Sequence, residues 1–404
     1  MPTARHEAWK KVDFAPITRT PFIPFDGSVA DTLSRQDVAN HLIEESAETQ
    51  LVFINGYFQS ELSSVQNLPE GVVISDLYSV LSGAVNAPKA LLDYLESEYF
   101  SLAGLEAETD ALAALNGAGF QNGPCVYVPT GVVLERPVQV LFYTAGTPDQ
   151  PHAVSHKGLI LAEEKASITA FVQFVGQSNQ QPYLNNQVFD VVVHSEASVD
   201  FTFVQNEGAQ GHNLTTTRVR QAENSSARLA GFALNGQQGR HNVQMLLDGE
   251  QAYCELNGLN VLTGQSRACA HTEIHHTVPN CQSRQFFKGI LNEQSLSEFD
   301  GTVVVYKDAQ QTDSVQLNRN LLLSDNAQVF TRPQLRIDAD DVKCSHGSAS
   351  GSLSENSIFY LRSRGLSYKQ AKKLLITGFF LDVIEKITDE EIKNFIKRTM
   401  ELNQ

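Results

Sequence analysis

The sequence predicts a mainly β protein built around a parallel β-helix, with helical regions before and after it. Three observations carry this reading. From Cys125 onward short β-rich runs recur, each broken by a small or polar turn. After residue 249 the breaks come roughly every 12 to 17 residues ("DGEQAY", "TGQSRA", "PNCQSR", "NEQSLS", "KDAQQT", "SDNAQV", "DADDVK"). No helical period interrupts them before about residue 352.

Residues 1–120 form the first region and read as mostly helical. "LYSVLSGAVNAPKALLDYLESEYF" spaces its apolar residues by three and four, and "AETDALAALNGAGFQNG" reads as a helix followed by a loop. Residues 121–351 form the β region. Its turn "EKAS" is answered about thirty residues later by "SEAS". A closed barrel needs hairpin turns, and Asn-Gly does occur at 55–56, 116–117, 122–123, 235–236 and 257–258. It then vanishes while the turn spacing continues, which favours stacked coils. Such a stack has open ends that need capping or a partner. Residues 352–404 form the third region, again helical. Ser367 with Gln370, and Thr388 with Glu391, have capping-box spacing ahead of two amphipathic runs. This tail could cap the solenoid or serve as a docking arm.

Composition excludes several classes. A net charge of −16 and the lack of a Lys/Arg block argue against nucleic acid as the main partner. The five cysteines, Cys125, Cys254, Cys269, Cys281 and Cys344, are scattered and odd in number, which fits a reducing compartment better than a disulfide framework. "MPTARHEAWKKVDF" lacks the apolar run of a signal peptide. "LLITGFFLDVI" is too short for a bilayer and carries Asp382. The expected location is the cytoplasm. The P-loop, dinucleotide and nucleophile-elbow motifs are all absent.

Three constellations could carry chemistry. In "DDVKCSHG", Cys344 and His346 would share one face of a strand with Val342, about 7 Å apart, while Lys343 and Ser345 take the other. The pair could supply two ligands to a borderline metal or an iron–sulfur species, but it cannot complete a site alone. Equally, both could be core side chains with the imidazole hydrogen-bonded inside. In "HTEIHHTVPNC", His271, Glu273 and His275 would share a face and could bind zinc or iron, or simply form a solvated polar face; His276 takes the opposite face. The aspartates at 308 and 313, and at 338, 340 and 341, could act as paired carboxylates on a polysaccharide or merely satisfy turn backbone.

The run from "QTDSVQLNRNLLLSDNAQVF" through "DDVKCSHGSASG" to "KKLLITGFF" (311–380) closely resembles the C-terminal signature of the SufB/SufD family, scaffold subunits that build iron–sulfur clusters. "CVYVPTGVVLERPVQV", "CQSRQFFKGIL" and the N-terminal "RHEAWKKVDF" are similar to other family segments. The short, cysteine-poor chain resembles the SufD branch. One departure is "HGSASG", where the family usually has "HGATVG". The resemblance implies a right-handed parallel β-helix and a non-enzymatic role. It implies a SufB-type partner along the β-helix and a SufC-type ATPase on the C-terminal helices. It also implies that His346 acts in cluster assembly at the interface between the two scaffold subunits, with Cys344 beside it. His276 and Cys281 fall on a second family motif of less defined role. Any iron or iron–sulfur cluster would be transient, held by His346 together with a partner cysteine, and not stably bound to the isolated chain, which could form a homodimer through the same edge. A β-helix enzyme acting on polysaccharide and a purely structural partner without a cluster ligand remain the rival readings.

Overall fold

The computed structural model describes residues 14–25, 34–99, 111–145, 150–177 and 181–402. The start of the chain through Asp13, which carries most of "RHEAWKKVDF", lies outside them.

Between His152 and Ser352 the chain alternates strictly between two parallel sheets and winds a β-solenoid of about seven turns. One sheet ends on Gln328–Ile337 and the other on Lys343–Ser352. A residue's neighbour in the next coil lies about thirty positions on: His212 pairs with Gln238, Ser283 with Ser314, Leu296 with Gln328. The repeated turns explain this winding. Lys165, Glu196, Asn224, Gln251, Asn280 and Gln311 all adopt left-handed backbone, one in each successive coil. The amide of Lys165 donates to the carbonyl of Ser195, and that of Glu196 to Glu223, so each turn hangs on the next. "EKAS" and "SEAS" are therefore one motif stacked on itself.

Most inward-facing positions are apolar because they are shut away from water between the two sheets. Phe53, Phe142, Phe174 and Phe203 stack along the lumen with ring centroids 4.8 to 5.1 Å apart. The N-terminal region is helical at Leu77–Leu81, Lys89–Tyr94 and Ala111–Gly119, but it also supplies strands. Thr49–Ile54 pairs in parallel with Val138–Thr144, and the antiparallel strands Tyr57–Phe58, Ser64–Val65 and Val73–Asp76 finish that end.

The C-terminal helices Glu355–Ser363, Tyr368–Ile384 and Glu390–Leu402 double back along the flank of the second sheet. Ile376, Phe380, Ile384 and Ile396 pack against Phe171, Phe232, Leu259 and Ile290, so the tail covers an outer face and leaves the open end free. The Ser367/Gln370 capping box forms as expected. The second expected box does not. Asp389 caps the last helix by accepting from the amide of Ile392 (2.9 Å), because the Thr388 hydroxyl is drawn to Asp200 on the solenoid wall. No helix among the described residues is long and apolar enough to cross a membrane.

Candidate functional site

The two terminal strands expose ten-residue edges, and "DDVKCSHG" lies on one of them. Lys343–Ser352 pairs in register with Asp313–Leu322, which sets Cys344 over Ser314 and His346 over Gln316. Alternation places Cys344, His346 and Ser348 on the face that looks into the lumen. Val342 and Cys344 pack against the main core, while Lys343 and Ser345 are exposed. His346 is exposed as well, because no further coil covers it. A core-buried, hydrogen-bonded imidazole is therefore not what this position holds. Across the open end, the hydroxyls of Thr331 and Ser348 bond at 2.8 Å and tie the two terminal strands together.

Beneath these residues the lumen turns polar. The Ser283 hydroxyl donates to Ser314 (2.8 Å) and shares a hydrogen bond with His276 Nε2 (2.9 Å). A column thus runs from Cys344 over Ser314 and Ser283 to His276. Beside it, Gln316 donates its amide to Gln285, and Gln285 donates to Thr272. Neither column was visible in the sequence, because pairing partners one coil apart cannot be aligned without knowing each coil's length.

His276 and Cys281 are fully buried, each two coils back from the edge. Burial holds the His276 imidazole down at about 4, so it is neutral. The Cys281 thiol donates to the carbonyl of Gly249 (3.3 Å), and burial raises its pKa. These two are not brought to the edge with Cys344 and His346. Burial also pushes Cys125 and Cys269 up to about 12 and raises Cys344, so none of these thiols is a ready thiolate.

Of the two readings of the second constellation, the polar face is the one the structure favours. His271, Glu273 and His275 do share an outer face, with His271 Nε2 3.6 Å and His275 Nε2 3.4 Å from the Glu273 carboxylate. Yet among the described residues no group of three or more His, Cys, Asp or Glu side chains is arranged to hold a metal ion. The cluster is a network of polar contacts on the outer wall. His271 Nδ1 lies 3.2 Å from Asp300, which Arg332 also grips. Two of the turn aspartates are engaged too: Asp313 accepts from Arg284 (2.8 Å) and Asp341 from Gln311. Neither of the two described cavities, one in the lumen beside His241 and one between Phe14 and Leu115, is lined by a carboxylate.

Comparison with known proteins fits this geometry. Residues 143–379 match the model "SUF system FeS cluster assembly, SufBD core domain", and residues 1–140 match "SufBD protein N-terminal region". The chain belongs to the SufB/SufD family of iron–sulfur cluster assembly proteins. Among its SufB/SufD relatives, the iron–sulfur cluster assembly SufBD family protein slr0076 of Synechocystis sp. is 30% identical over 96% of this chain and 84% of its own length. Protein ABCI7, chloroplastic, of Arabidopsis thaliana is 32% identical over 91% and 77%. The iron–sulfur cluster assembly protein SufD of Escherichia coli is 28% identical over 97% and 87%. The core-domain match spans the solenoid coils, the terminal edge and the helix Tyr368–Ile384 as far as Phe379.

Proposed function

We propose that this chain is a non-catalytic scaffold subunit of iron–sulfur cluster assembly that works as one part of a shared site. Its open solenoid end pairs with a SufB-type subunit. His346, with Cys344 beside it, contributes ligands to iron or a forming cluster, completed by a cysteine of that partner. The cluster is cargo and is not retained by the isolated chain, whose same edge serves for homodimer formation. A SufC-type ATPase docks on the C-terminal helices, where Phe359, Tyr360, Tyr368 and Leu374 present exposed apolar side chains. The location is the cytoplasm, or the stroma in a plastid.

One observation supports this reading most. The only Cys–His pair on a terminal edge strand, among the described residues, lies on the lumen face of that strand, where another β-strand layer would cover it. A neutral imidazole binds borderline metals without adding charge. The test is His346→Ala in the reconstituted three-protein complex. Iron and sulfide loading should fall with assembly intact. Unchanged loading would leave only a structural role.

A further inference from the structure

The two polar columns under the open end differ in one respect. In the serine column each hydroxyl has a partner, and the unpartnered buried atom is His276 Nδ1, two coils back from the edge. The amide column is directional. Gln285 turns its amide nitrogen inward to the Thr272 hydroxyl and its carbonyl outward, where it accepts from Gln316. Gln316 repeats that orientation one coil further out. Its nitrogen is spent on Gln285, and its Oε1 is buried without a hydrogen-bond partner although the residue is fully enclosed. Room for this ladder is kept by Gly301 on the facing sheet. A Cβ there would fall 2.5 Å from Gln316 Nε2 and 3.0 Å from Thr272 Oγ1.

The next position in the same column, on the same face and one strand spacing away, is His346. Its ring is exposed and can turn about its side-chain torsions. We infer that Gln316 is the positioning residue for His346: its carbonyl Oε1 accepts one ring N–H of the imidazole and aims the other nitrogen out of the solenoid. A buried carbonyl left without a donor is costly, which supplies the preference for this rotamer. The consequence is a fixed tautomer. Imidazoles that ligate metals characteristically donate their second N–H to an acceptor that orients them, and here the acceptor is an amide held by a ladder two coils deep. The inference rests on reading His346 as a ligand, but the hydrogen bond can be tested without that reading.

The experiment uses the full chain labelled with 15N-histidine at a pH where the imidazole is neutral. The His346 signals are assigned by their loss in His346→Asn. Wild type should show one tautomer with a slowly exchanging ring N–H. Gln316→Leu should give averaged tautomers, and Gln316→Glu, which keeps an acceptor, should restore the single form. In the reconstituted complex, ferrous iron binding to Gln316→Leu should be about tenfold weaker than to wild type, and Gln316→Glu should recover it. Averaged tautomers in wild type would overturn the proposal even if Gln316→Leu failed to fold. So would ring signals that ignore the Gln316→Leu change. A single Gln316-dependent tautomer combined with normal iron loading in His346→Ala would uphold the hydrogen bond and reject the ligand role instead.

Discussion

Lys288, buried in the wall of the solenoid, reaches Asp382 on the long C-terminal helix at 2.6 Å and also donates to the carbonyl of Phe379. The ammonium is only 4% exposed, whereas the carboxylate is about half exposed. The pair therefore acts as a peg through the apolar seam between tail and sheet. Replacing Asp382 by Leu strands a charge. It should cost about 2 kcal/mol, below the range for a fully buried pair because Asp382 keeps part of its solvent. Lys288→Met added to it should recover most of the loss. Limited proteolysis between residues 352 and 404 reads the outcome directly, with faster cleavage in the single variant than in the double.

The same seam changes how partner docking should be tested. Deleting everything after residue 352 would bare Phe171, Phe232, Leu259 and Ile290, so loss of ATPase binding would be confounded by damage to the sheet. Surface substitutions separate the two. Phe359→Ser with Tyr360→Ser should abolish binding of a SufC-type ATPase with little change in melting temperature, since both side chains are largely exposed. Phe380→Ala, in the buried seam, should instead destabilise by about 3–5 kcal/mol. Titration calorimetry and thermal melts of the two variants decide it.

Much of this architecture was legible in the chain. The left-handed turn residue leaves a recurrent mark, as in "EKAS" and "SEAS", because each coil must reverse direction in few residues. Strand alternation also gave the shared face of Cys344 and His346. What could not be read was vertical neighbourhood. Coil length varies, so nothing in the sequence places Ser314 under Cys344 or Gln316 under His346. The Thr388 cap misled for a related reason: a residue 188 positions away, Asp200, outbids the local helix for its hydroxyl.

Acid should weaken the fold from mildly below neutrality. Burial holds His156 at about 3, and His212, His241 and His276 at about 4. In the unfolded chain each would titrate near 6.5, so between those values the unfolded state binds more protons. Their contribution is complete above pH 6.5 and is lost as pH falls toward 4, by up to about 1.4 kcal/mol per pH unit for each group. His271 runs the other way. Burial lowers its pKa, but the hydrogen bonds to Asp300 and Glu273 outweigh that and raise it, so its share is present below 6.5 and lost as pH climbs through the folded value. Urea midpoints at pH 7.5, 6 and 5 should decline in that order, and His241→Leu should flatten the slope.

Gly301→Ala tests the crowded lumen opposite the amide ladder. The added methyl would fall 2.7 Å from the Phe299 ring as well as on Gln316, so the variant should lose about 1–3 kcal/mol by overpacking. Gly351→Ala, where a Cβ meets nothing within 4 Å, is the matched control and should be neutral. Chemical denaturation of the pair reads the difference.

The two ends of the solenoid are unlike. One finishes in antiparallel pieces of two to four residues, the other in full-length parallel borders. A brick with mortar on a single side cannot build a wall. Whatever joins this molecule border to border consumes the only full-length open strand edges among the described residues, so end-to-end stacking of solenoids stops at two, and a fibre would require the blunt end to be unravelled first.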